Sequence, residues 1–238
     1  EQLPVYERLG DVPSRAVTMG QIADILQARG ALDEALRIHR EEELPVYERL
    51  GDVRERALTM SRIADILQAR GALDEALRIR REEELPVYER LGDVRSRAVT
   101  MGRIADILQV RGAFDEALRI RREEELPVYE RLGDVRARAV TMGKMADTMI
   151  AAGGLDDGRA PEIHAAAAEA FAIARRLNLA DGVAYTGTLL ARILARAGRI
   201  DEALLVLHEA EAGFATLGDT AGLERVRQLR GTLTKSAG

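Results

Sequence analysis

Few side chains in this sequence are equipped for chemistry. None of the 238 residues is cysteine, which removes thiolate nucleophiles, disulfides, Cys-ligated zinc and iron–sulfur clusters together. The three histidines, His39, His164 and His208, fall at unrelated places. No two of them share a helix face at metal-ligand spacing, so neither a metal nor any other cofactor is expected. There is no Gly-x-Ser-x-Gly elbow, no P-loop and no Gly-x-Gly-x-x-Gly turn after a strand. Gly153, Gly154 and Gly158 belong to a turn between helices and need no phosphate to explain them. Carboxylates are plentiful, but general acid–base work needs two of them facing each other in a pocket. Here they are solvated copies of one another at fixed spacing. The chain is expected not to be an enzyme.

Composition narrows the remaining classes. With 47% hydrophobic and 32% charged residues the chain reads as a folded soluble protein. A net charge of −5 has the wrong sign for a non-specific nucleic-acid binder. No stretch approaches the roughly 18 apolar residues of a membrane span, and no signal peptide is seen. The expectations are therefore no nucleic acid, no membrane and, by default, a cytoplasmic location.

The elements that position any functional group come from repetition. Leu-Pro-Val-Tyr-Glu-Arg-Leu-Gly-Asp-Val begins at Leu3, Leu44, Leu85 and Leu126, in steps of 41 residues. Residues 44–84 and 85–125 agree at 36 of 41 positions, differing at Glu55/Ser96, Leu58/Val99, Ser61/Gly102, Ala69/Val110 and Leu73/Phe114. Each repeat reads as two helices. Asp52 is an N-cap with Glu55 three residues on. Ala57, Met60, Ile63, Ala64 and Leu67 follow at helical spacing, and Gly71 stops the helix. The second helix opens on Leu73, Asp74 and Glu75, carboxylates suited to the positive helix end, and closes at Gly92 in a left-handed cap. No sustained alternation argues for a strand. One such pair cannot bury its own apolar face, so stacking is expected. The Arg-Arg-Glu-Glu-Glu run (80–84, 121–125) is read as a solvated helix face with pairs such as Arg80 and Glu84. Pro45, Pro86 and Pro127 fall inside second helices. Gly30 to Gly51 spans 21 residues, against 20 from Gly198 to Gly218 where no proline intervenes. A kink or π-type bulge is expected near 41–45, 82–86 and 123–127.

Beyond Gly153 the pattern loosens. The next equivalent glycine, Gly198, comes 45 residues later rather than 41, so Asp156-Asp157-Gly158-Arg159-Ala160-Pro161 holds about four inserted residues in a widened turn. The reading is two domains: 1–153, near-identical repeats that start in mid-repeat at Glu1, and 154–238, divergent helix pairs ending in a capping helix. The start inside a repeat leads to the expectation that further repeats lie upstream.

Within a repeat, Ala64 and Ala76 flank the turn Gly71, which is followed by Leu73-Asp74-Glu75-Ala76; Ala23/Ala35, Ala105/Ala117 and, divergently, Ala191/Ala203 repeat the arrangement. This resembles the tetratricopeptide (TPR) signature over essentially the whole chain, in a long-repeat form like that of kinesin light chains and bacterial STAND-class signalling proteins. Two positions depart from it: the family's Trp is Met (Met19, Met60, Met101, Met142) and one family Ala is Glu (Glu42, Glu83, Glu124). The resemblance implies an all-α, right-handed superhelical solenoid of antiparallel helix pairs. It also implies a non-catalytic scaffold that binds a protein or peptide on a concave face lined by first helices. The alternative is a sensor or autoinhibitory arm of a larger bacterial STAND-type ATPase or caspase-like protease. An RNA-reading helical repeat would need varied base-reading side chains and a basic groove, and has neither.

Aligned to the family, the candidate partner-binding residues are Arg62, Asp65, Arg103, Asp106, Lys144 and Asp147, then Ile150, Tyr185, Leu189 and Arg192 where the repetition breaks. Arg62 and Asp65 can pair within a helix, and stacking would bring Asp65 to Arg103 in a ladder of alternating sign that holds register or meets a partner. Lys144, Tyr185 and Arg192 replace that ladder by a mixed patch of hot-spot composition, or else pack the C-terminal helices as a cap. The positions where the family clamps a terminal carboxylate are Gly20/Ser61/Gly102/Gly143 and Asp24/Asp65/Asp106/Asp147, which argues against such a clamp here. The bare apolar N-terminal end, with Leu3, Val5, Tyr6, Leu9, Ile22 and Ile25, is expected to give weak self-association.

Overall fold

The computed structural model describes residues 3–156 and 158–236. Asp157, part of the widened turn, and Glu1, the start in mid-repeat, lie outside them. The described residues form helices and turns with no strand. By internal packing the chain divides into two compact units, residues 1–107 and 108–238.

In the N-terminal unit the short helix Leu3–Leu9 precedes a first helix, Val12–Ala28, and a second helix, 32–50. The next pair is Val53–Ala69 and 73–91, and Val94–Val110 opens the pair after that. Each first helix starts where an aspartate caps it: Asp52 Oδ1 accepts from the Glu55 amide at 3.0 Å. It ends at a glycine that supplies a positive φ, as at Gly71 (φ +80°). The small residues that flank this turn, Ala23, Ala35, Ala64 and Ala76, are fully buried, so the two helices of a pair meet closely. The far ends of the two helices of a pair are joined by apolar clusters of one form, Ala16 with Val46 and Tyr47, then Ala57 with Val87 and Tyr88.

The second helices carry the expected irregularity. Leu32–Ile38 and Leu44–Leu50 are joined by a π-helical turn, His39–Glu43. Ile79–Glu84 and Arg121–Glu125 are the equivalent turns. Each lies immediately before the Leu-Pro step, where proline offers no amide to the regular ladder. The second helix without proline, Ile200–Leu217, is a plain α-helix.

The C-terminal unit contains 114–132, Val135–Ala151, Ala160–Arg176, Ala180–Arg196, Ile200–Leu217 and Thr220–Ser236. One continuous core runs through it, including Met149, Ile163, Phe171, Leu190, Leu207 and Phe214. Glycines set the closest approaches. A Cβ on Gly213 would stand 2.8 Å from the Ala180 carbonyl oxygen.

Candidate protein-binding site

The charge run 80–84 is not a solvated face. Arg81 and Glu82 are exposed, but Arg80 is fully buried and Glu84 is 2% exposed. His39 with Glu43 and Arg121 with Glu125 are buried in the same way. The reason is the second helix's position between neighbouring first helices, which turns one stripe of the run inward. Arg80 donates to Glu84 at 3.2 Å and to Asp65 at 2.5 Å. Glu84 also accepts from the Thr100 hydroxyl at 2.6 Å. Burial pushes the Glu84 carboxyl above the usual glutamate range, against the opposing pull of Arg80, Thr100 and Ser61. In the first repeat His39 Nδ1 lies 2.6 Å from Glu43. The Glu43 carboxylate occupies the space where a side chain on Gly20 would start, 2.6 Å from an ideal Cβ. The position that would hold a clamp lysine is therefore already filled by an acid.

This buried layer carries the sequence-predicted ladder. Arg103 donates to Asp65 at 2.7 Å, and Arg62 reaches Glu43 at 3.0 Å and Asp24 at 3.6 Å. Asp65 joins the exposed rung to the buried Arg80 beneath it, so in the N-terminal unit Arg62, Asp65 and Arg103 form ion pairs between neighbouring repeats. Asp106 is half-buried at the end of that unit.

In the C-terminal unit a cleft of about 550 Å³ opens between Val135–Ala151 and Ala180–Arg196. Lys144, Asp147, Tyr185, Leu189 and Arg192 line it together. Ile150 does not; it is half-buried against the core. Tyr185 is 57% exposed, its ring stands edge-on to Phe214 with centroids 5.2 Å apart, and its hydroxyl donates to Asp219 at 3.4 Å. Leu189 is 8% exposed and forms floor rather than rim. The acids are engaged: Asp147 accepts from Gln109 at 2.8 Å and Asp181 from Arg136 at 3.0 Å. Among the described residues, Arg192 and Arg225 form no ion pair or hydrogen bond.

Sequence reasoning missed Phe214, Asp181 and Arg225 as lining residues. Arg225 belongs to Thr220–Ser236, the terminal helix expected only as a cap. Four of the five tyrosines occupy a single repeat position; Tyr185, the fifth, was the signal that an aromatic had been placed for another purpose. Among the described residues no group of His, Asp and Glu is arranged to hold a metal ion.

Stacked two-helix repeats with a small residue on each side of a glycine turn define the TPR-type helical repeat fold, and this chain has it. Comparison with protein-family models and with curated sequences finds no match. Solved structures do match. The nearly identical TPR-like repeats assigned to a kinesin light chain of Podosopora anserina give a TM-score of 0.64 at 20% identity, over 86% of this chain and 97% of that one. BtubC (BKLC) from P. vanneervenii gives 0.67 at 20% identity, over 95% and 87%. A Rap protein complexed with competence and sporulation factor gives 0.61 at 12% identity, over 94% of this chain and 64% of that one. No helix among the described residues is long and apolar enough to cross a membrane.

Proposed function

We propose that this chain is a non-catalytic protein-interaction scaffold that seats an extended segment of a partner protein in the cleft under Tyr185. The observation that carries the reading is the contrast between the two polar surfaces. The Arg62–Asp65–Arg103 ladder is satisfied by its own neighbours. The cleft instead combines an exposed aromatic, an apolar floor and two arginines with no intramolecular partner among the described residues. A ladder whose charges pair with one another leaves little to a partner, whereas an exposed tyrosine with nearby guanidinium donors is the composition of an interface anchor. An apolar side chain of the segment would lie on Tyr185, Leu189 and Phe214, and Arg192 and Arg225 would donate to its carbonyls. The Rap neighbour, solved with a bound factor, is in keeping with a scaffold use of this fold.

The test is selection of displayed peptides on the whole chain, followed by calorimetry on variants. Tyr185→Ala should weaken a selected peptide by about 1–2 kcal/mol, and Gln68→Ala in the uniform repeats should leave it unchanged. Binders indifferent to Tyr185→Ala would move the site elsewhere.

A further inference from the structure

Val12–Ala28 carries a face that the next two first helices bury. Ile25 is 53% exposed, whereas Ile66 and Ile107, at the same place in the following repeats, are 0% exposed. Ile22 and Leu26 are half-buried, against 1% and 3% exposure for Ile63 and Leu67. Each of these helices packs on its own second helix, so the difference arises on the other side. The first part of the 32–50 helix packs on Val53–Ala69. Among the described residues no helix takes that place on Val12–Ala28. Leu3–Leu9 lies at its start, where Arg15 donates to Glu7 at 3.4 Å.

The charges beside this face differ in the same way. In the next repeat Arg70 pairs with Asp33 at 3.0 Å and Glu75 with Arg40 at 2.6 Å, both partners coming from the 32–50 helix. The equivalent residues, Arg29 and Glu34, are exposed and form no ion pair or side-chain hydrogen bond among the described residues. Asp33 and Arg40 are seven residues apart, about two helical turns and so on one face. Ala35, Leu36 and Ile38 lie buried between them. One repeat further on, the chain itself shows the kind of helix that such a face accepts.

We propose that the outer face of Val12–Ala28 is a docking site for a helix of another protein, one with an aspartate in its first turn, an arginine two turns later and an Ala-Leu-Ile stripe between. The stripe covers Ile22 and Ile25, the aspartate meets Arg29 and the arginine meets Glu34. Exposed ion pairs add little affinity, so the apolar contact sets the strength, and the opposite signs of Arg29 and Glu34 set the direction of the helix. A second folded copy of this chain does not supply the helix. Its arginines at this position, Arg40, Arg81 and Arg122, are already engaged within it.

The probe is a peptide of residues 32–43 with Arg37→Lys joined by a lactam to Glu41, two positions that are exposed in the fold, which holds it helical. Fluorescence anisotropy measures its binding to the whole chain and to Ile25→Arg, Arg29→Glu and Tyr185→Ala, each checked for folding by circular dichroism. The expected result is saturable binding at a single site, about ten-fold weaker with Ile25→Arg and unchanged with Tyr185→Ala. Arg29→Glu should weaken it by about three-fold at low salt, and Asp33→Arg in the peptide should recover that loss. Absence of binding at the highest soluble concentration overturns the proposal. So does equal binding to Ile25→Arg, or a loss with Tyr185→Ala, which would put the peptide in the cleft. If the chain takes no peptide but associates with itself through Ile25 in sedimentation equilibrium, the occupant is a second copy and the proposal fails.

Discussion

Replacing Arg80 by Met should be among the most damaging single changes in the N-terminal unit. Arg80 is fully buried and bonds Glu84 and Asp65. Met keeps the length of the side chain and removes its charge. Asp65 retains Arg103, but Glu84 is left buried with only hydroxyl partners, Thr100 and Ser61. Removing one partner of a buried pair costs about 3–5 kcal/mol because the other charge stays behind. The two hydroxyls place the expected loss near the lower end, about 3 kcal/mol. Arg81→Met, one residue along but exposed, should change stability by less than about 0.5 kcal/mol. Urea unfolding followed by far-ultraviolet circular dichroism measures both. The double change Arg80→Met with Glu84→Leu removes both charges and should recover most of the loss, since well-packed apolar pairs often match buried ion pairs. If Arg80→Met costs no more than about 1 kcal/mol, as a surface pair would, or if the double variant is worse than the single, then the buried network does not do what its geometry implies.

Other outcomes follow from the same coordinates. Glu84 titrates above its ordinary 4.5 because it is buried. Its contribution is therefore fully present below that value and lost as pH rises through the folded one, and Glu84→Gln should flatten the stability curve just above pH 4.5. Asp93 has the opposite sign: the Ser96 amide, then its hydroxyl and Arg54, hold its carboxyl below the ordinary 3.8. Its contribution is present above that value and fades as pH falls through the folded one, so Asp93→Asn should remove the slope there, measured by acid unfolding. Gly213→Ala would set a Cβ against the Ala180 carbonyl, with no flexible atom to yield, and should cost at least about 1–3 kcal/mol in thermal unfolding. Asp52→Ala should cost about 0.5–2 kcal/mol through loss of the Glu55 amide's partner. An acidic C-terminal peptide should show no calorimetric binding to the uniform repeats, because Glu43 lies over Gly20 where a clamp cation would stand.

The local features of this protein were legible in its sequence because their causes are local. Aspartate caps, glycine turns, helical spacing and the position of proline all act within a few residues, so the helix pairs, the left-handed Gly92 and the π turns followed from them. The pairing of Asp65 with Arg103 was also readable, because a strict repeat places equal residues at equal offsets. What the sequence could not show was which side of a charged helix would be covered. Arg80 and Arg81 are chemically the same residue one step apart, and only the neighbouring first helices decide that one is buried and the other exposed. The cleft depended on tertiary structure for the same reason. Tyr185, Phe214 and Arg225 are widely separated in the chain, and no spacing rule brings them together. Their meeting is set by how closely Ala180–Arg196 and Ile200–Leu217 pack, a distance fixed by Gly187 and Gly213 at their contact.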